Sequence, residues 1–171
     1  MEFVSVLSAA QIGEVEDLAR EIWCEHYANL LSATQIEYML GKFQSQDAIA
    51  AQIENEGYSY YLMREDEITV GYLGFCRKDG GEERCEAGGL FLSKLYVRKE
   101  HRGKGFARAA VHFLMRLCLE EGRNYLWLTV NRENAGSIRC YEKLGFRLWY
   151  EQKADIGKGF FMDDLILKKE I

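Results

Sequence analysis

His101-Arg-Gly-Lys-Gly-Phe-Ala-Arg-Ala-Ala110 packs two glycines and the three cations Arg102, Lys104 and Arg108 into seven residues, then runs into alanines. It follows the apolar run LFLSKLYV (90–97), which reads as a mostly buried strand, and it opens a helical pattern. A helix from about Gly105 to Glu121 carries an inner stripe of Phe106, Ala110, Phe113, Leu114 and Leu117. Arg108, His112 and Arg116, four residues apart, form its solvated outer stripe. The turn therefore sits between a strand and a helix N-terminus, where unpaired backbone N–H groups and the positive end of the helix dipole can hold phosphate.

Two nucleotide motifs fail at this turn. A phosphate loop of the Walker type needs GxxxxGK followed by Ser or Thr, which is absent. A dinucleotide fingerprint starting at Gly103 would need a small residue at 108, where Arg108 stands, and repeated βαβ units are missing. What remains is R-x-x-G-x-A, and a tight turn with no ligand is the plain alternative.

Working outward, the rest of the chain alternates short strands and amphipathic helices. EFVSVL (2–7) reads as a first strand, and Ile12 to Trp23 repeat apolar residues at helical spacing. Thr34 and Glu37 form a capping-box signature for a second helix, and a third starts near Ser45. YSYYLMR (58–64) and ITVGYLGFCRK (68–78) form a hairpin, and DGGEERCEAGG (79–89) a polar loop. NYLWLTV (124–130) makes a parallel crossover with the strand before the helix. Ser137 to Leu144 is a short helix closed by Gly145, and FRLWYEQKA (146–154) with FFMDDLILKK (160–169) is a final hairpin. The expected fold is α+β: a mixed, mostly antiparallel sheet with one central parallel pair.

The chain has 171 residues, 48% hydrophobic and 29% charged, with no proline and no repeat, which predicts one globular domain over 1–171. Its apolar runs are too short to span a bilayer, and its first residues do not read as a signal peptide. A net charge of −5 disfavours nucleic-acid binding and suits a cationic small substrate. Five scattered cysteines, with no CxxC, predict buried free thiols in a reducing cytoplasm, and the three histidines show no zinc spacing with them.

R-x-x-G-x-A after a "LYV" strand resembles the acyl-CoA loop of the GNAT superfamily of acetyl-CoA-dependent N-acetyltransferases. Asn134-Ala-Gly-Ser-Ile-Arg-Cys-Tyr141-Glu-Lys-Leu-Gly145-Phe146 resembles the family's N-x-x-A-x-x-x-Y-x-K-x-G-F, with Ser137 replacing alanine. The resemblance implies a GNAT-like fold, helices on both sheet faces, and a central strand pair splayed to hold acyl-CoA. It implies that backbone amides of Gly103, Lys104, Gly105, Phe106, Ala107 and Arg108, beside Arg102, hold the CoA pyrophosphate. Leu95, Tyr96 and Val97 would pair with the pantetheine arm, and an amide near Leu95 would stabilise the oxyanion. Asn134 would hydrogen-bond the arm, with Ser137 packing close by. Tyr141 would protonate the leaving thiolate, the alternative for it being a core aromatic.

The attacking amine must be neutral, and a free alkylammonium has a pKa of about 10, so a base or proton wire is needed. Many relatives place a glutamate two residues before the "LYV" leucine, where this chain has Ser93. Ser93 could orient a water, and His26, clustered with Trp23, Glu25 and Tyr27 on the first helix, is a second candidate. Tyr72, Trp127 and Trp149 line an acceptor pocket or belong to the core. Asp163 and Asp164 resemble a feature of bacterial polyamine acetyltransferases. The expected reaction is direct acetyl transfer to a small cationic amine such as a polyamine, without metal. A peptide or protein amine is the second acceptor class, and a non-catalytic acetyl-CoA-binding module the rival. Relatives of this kind often form homodimers through terminal strands.

Overall fold

The computed structural model of the chain describes residues 1–77 and 88–171. Among them, strands β1 (Glu2–Ser5), β2 (Tyr58–Glu65), β3 (Ile68–Cys76), β4 (Gly89–Val97), β5 (Tyr125–Asn131), β6 (Arg147–Gly157) and β7 (Phe160–Glu170) form one sheet. Its order is β1-β2-β3-β4-β5-β7-β6. The β4–β5 pair is parallel, and β1–β2, β2–β3, β5–β7 and β6–β7 are antiparallel, as expected for the mixed sheet. The helices are α1 (Ala9–His26), α2 (Ala33–Phe43), α3 (Gln46–Asn55), α4 (Phe106–Glu120) and α5 (Ala135–Lys143). The predicted Gly-rich loop over 79–89 and Cys85 fall almost wholly outside the described residues.

The chain divides into two compact units, residues 1–76 with 94–107, and residues 77–93 with 108–171. In the first, α1 packs on α2, α3 and β3. Its inner face is the predicted one: Val15, Leu18, Ala19, Ile22 and Trp23 are all buried. The helix starts earlier than its apolar period, because Ser8 and Gln11 form a reciprocal capping box. The cap of α2 also differs from expectation. Ser32, not Thr34, accepts the Gln35 amide, since Ser32 is the residue in extended conformation before the first helical turn. Gly71 on β3 meets the Tyr96 carbonyl of β4, a contact that leaves no room for a side chain.

In the second unit, Tyr125, Trp127 and Ile166 form a core cluster with Phe91, Trp149 and Tyr150 packed against it. Gly145 adopts the left-handed conformation expected after α5. The outer stripe of α4 is as read: Arg108, His112 and Arg116 are exposed. The cysteines depart from the expectation of burial. Cys76 and Cys118 are buried, whereas Cys24 and Cys140 are exposed, because each lies on the outward side of its helix. The burial preference of cysteine is an average that helical phase overrides.

Candidate active site

The turn that opened the sequence reading is built as a cradle. Gly103 and Gly105 have φ of 78° and 93°, in the left-handed region, and no heavy atom lies within 4 Å of a Cβ placed on either. Residues 102–105 are exposed, and α4 begins directly after them at Phe106, which is buried and edge-on to His101. Ala107 is half-buried, and Arg108 points to solvent. Positive-φ glycines with empty space on their side-chain face leave room for an anion to approach the backbone. Lys104 is exposed on the same turn.

Arg102 sits differently from the expectation. Its Nε donates to the Val97 carbonyl at 2.9 Å, and its Nη2 donates to Glu25 at 2.7 Å. Lys99 reaches the other Glu25 oxygen at 3.4 Å. Burial alone would raise the Glu25 carboxyl, but Arg102 and then Lys99 outweigh it and hold it below its ordinary value.

Leu95, Tyr96 and Val97 end β4 and are half-buried. The parallel β4–β5 ladder pairs Gly89–Leu92 with Tyr125–Leu128, whereas β5 continues against β7 as far as Asn131. Tyr96 joins an aromatic group of the first unit, its ring centroid 5.6 Å from Trp23 and 5.3 Å from Tyr72. The hydroxyls of Tyr96 and Tyr27 lie 3.4 Å apart. His26, the last residue of α1, stands edge-on to Tyr27 at 4.8 Å. A helix C-terminus favours imidazolium, yet burial first and the Arg102 charge second push the His26 pKa below its usual value. Both effects favour the neutral imidazole.

Of the remaining sequence-derived residues, all but Tyr72 lie in the second unit. Ser93 is half-buried on β4. Asn134 is buried and caps α5, its Oδ1 accepting the Ser137 amide at 3.2 Å. Tyr141 is half-buried two turns along α5, its ring edge-on to Phe146 at 5.6 Å. Tyr72 and Trp127 are core residues, each at most 1% exposed, while Trp149 is half-buried. Asp163 is paired with Arg132 at 3.0 Å, and Asp164 is buried.

One residue was missed. Lys94 is buried on β4 with its ammonium over Tyr58 and Tyr60, 5.1 and 5.7 Å from their ring centroids. Its signal was available: Leu90, Leu92, Lys94 and Tyr96 alternate on one side of the strand. Burial lowers the Lys94 pKa to about 8, against smaller raising effects of Glu56 and Cys76. The unfolded chain, with lysine near 10.4, holds this proton over a pH range where the folded protein releases it. Stability relative to Lys94→Met should therefore rise between about pH 8 and 10.4, by on the order of 3 kcal/mol. Chemical denaturation of both proteins across that range checks it, and parallel curves would show that Lys94 does not titrate there.

Residues 15–146 match the sequence model of the acetyltransferase (GNAT) family. The chain belongs to this family. An uncharacterized N-acetyltransferase from Lactobacillus delbrueckii subsp. lactis is 23% identical over 165 residues, covering 96% of this chain and 95% of its own. The PaiA N-acetyltransferase of Thermoplasma acidophilum, solved in complex with coenzyme A, superimposes over 100% of both chains with a TM-score of 0.76 at 20% identity. A spermidine N-acetyltransferase variant from Vibrio cholerae covers 99% of this chain and 92% of its own, with a TM-score of 0.67 and 13% identity. As a GNAT acetyltransferase, the protein is an enzyme that acts with acetyl-CoA. Among the described residues, no group of His, Cys, Asp or Glu assembles to hold a metal, and no helix is long and apolar enough to cross a membrane.

Proposed function

We propose that this GNAT enzyme transfers acetyl from acetyl-CoA directly to a primary amine of a small cationic acceptor, with a polyamine first in line. The observation that carries the reading is the open cradle of Arg102–Ala107, with two left-handed glycines facing free space at the start of α4. Acetyl-CoA, when bound, supplies the acetyl group as an activated thioester. Backbone amides from Gly103 to Arg108 bind its phosphates, and the Leu95–Val97 edge receives the pantetheine arm. The end of the β4–β5 ladder at Leu92 supports that second role.

Tyr141 delivers the proton that the departing sulfur needs, and Asn134 orients α5 while offering its amide N–H₂ to the arm. His26 takes the proton that the acceptor amine must lose, a role helped by surroundings that favour the neutral imidazole; Ser93 can only orient a water. The cationic acceptor rests on the net charge of −5 and on a structural neighbour named a spermidine acetyltransferase. Asp163 gives weaker support than its position in the sequence suggested, because it already shares the Arg132 guanidinium with Glu151.

The test incubates the protein with acetyl-CoA and a panel of spermidine, spermine, putrescine and an α-amino peptide while free thiol is followed. Turnover with the polyamines is expected. Turnover with the peptide alone would transfer the assignment to protein amines. Thermal stabilisation by CoA with no turnover would favour a binding module, a reading that Ser93 at the usual acidic position keeps in play. A protein that CoA does not stabilise would refute the cradle.

A further inference from the structure

The first-unit surface holds a device that the sequence motif does not describe. Glu21 and Glu25 lie one helical turn apart on α1, and each takes a guanidinium from the connection between β4 and α4. Arg98 joins Glu21 at 3.0 Å and the Thr69 carbonyl at 3.1 Å. Arg102 joins Glu25 at 2.7 Å and the Val97 carbonyl at 2.9 Å. Residues 98 and 102, which flank the short Lys99–His101 turn within this connection, are thus strapped to the same face of α1. Exposed ion pairs of this sort contribute little to stability, so their geometry is the more informative property.

The turn beyond the second strap has little else to hold it. Gly103 and Gly105 have open space on their side-chain faces, and Arg102 to Gly105 are exposed. Glycine also has the greatest conformational freedom to lose on ordering. A phosphate that needs several backbone N–H groups aimed at one point therefore depends on how well the stem of the turn is fixed.

We propose that Glu25 is a positioning residue for acetyl-CoA: it holds the Arg102 guanidinium against the last carbonyl of β4 and so presets the Gly103–Gly105 turn for phosphate. Arg102 then acts as a strut rather than as a phosphate ligand. The inference rests on the reading of this turn as the pyrophosphate cradle. It also makes α1, through Glu25, part of the CoA-binding apparatus.

The experiment measures the CoA dissociation constant by calorimetry for the wild type, Glu25→Gln, Arg102→Ala and the double variant. Glu37→Gln, which breaks an exposed α1–α2 pair with Arg20, is the control. A strut predicts that both single variants weaken CoA by about threefold to tenfold, the scale of one ordinary hydrogen bond. The double variant should be no weaker than the worse single one, because both remove the same link. In steady state, KM for acetyl-CoA should rise while the amine KM stays put, and Glu25→Asp should recover part of the loss.

If Arg102 instead turns to the phosphate, Glu25→Gln frees it, and CoA binding tightens or stays the same while Arg102→Ala weakens it. That result overturns the proposal. Equal weakening in Glu37→Gln would do so too, since it would mark a general loosening of α1. Failure of the wild type to bind CoA would instead count against the cradle itself.

Discussion

Tyr141→Phe is expected to lower kcat by about 10²- to 10⁴-fold, the usual contribution of a positioned general acid. The substitution removes only the hydroxyl. The ring keeps its edge-on contact with Phe146, whose amide donates to the Tyr141 carbonyl at 3.0 Å, and α5 keeps its Asn134 cap. KM for acetyl-CoA should therefore change less than twofold and the melting temperature by only about a degree. The competing role for Tyr141, a helix-face aromatic that only packs, makes the opposite prediction. Phenylalanine would then be neutral, and Tyr141→Leu would cost stability and activity together. Steady-state kinetics and melting curves on both variants separate the two. A Phe variant with wild-type kcat would remove Tyr141 from the chemistry.

The motif that led to Tyr141 was legible because it is local. Asn134, Ser137, Tyr141 and Gly145 lie within twelve residues of sequence, and helical geometry then dictates their spacing. The same holds for Gly103 and Gly105, whose positive φ belongs to the tight turn just before α4. Strand and helix types were readable wherever the apolar period was clean, as in α1 and β5. Caps were less so: Thr34 with Glu37 matches the capping pattern, but Ser32 with Gln35 offers the same chemistry two residues earlier and starts the helix. Partners distant in sequence were not readable at all. The sequence shows that Arg102 is a cation, but not that Glu25, 77 residues away, takes it. Likewise it shows Asp163 without showing that it shares Arg132 with Glu151, which is why the acceptor is harder to read than the cofactor. Lys94 was overlooked for a different reason: a buried lysine contradicts the average behaviour of its type, and only its place in the strand alternation betrays it.

Gly71→Ala should be among the most damaging single substitutions in the first unit, and its cause is backbone, not charge. A Cβ at this position of β3 would overlap the Tyr96 carbonyl, and it would sit 2.9 Å from Met63 Cε and 3.0 Å from Val97 Cα. Met63 could swing its terminal methyl aside, but the β4 backbone cannot yield without shifting the strand. The expected loss is about 3 kcal/mol, at the upper end for overpacking. For a chain of this size that is a fall in melting temperature of roughly 6–12 °C. Gly41→Ala on α2 is the matched comparison, because nothing lies within 4 Å of its Cβ position. There the same methyl should raise stability by about 0.5–1 kcal/mol, since alanine has less backbone freedom to lose in a helix. The contrast extends to function, because the atoms Gly71 accommodates are those of Tyr96 and Val97, the strand end assigned to the pantetheine arm. Gly71→Ala protein that remains folded should show a raised KM for acetyl-CoA, whereas Gly41→Ala should not. Equal melting shifts in the two variants would mean that Gly71 does not approach the Tyr96 carbonyl as closely as this contact requires.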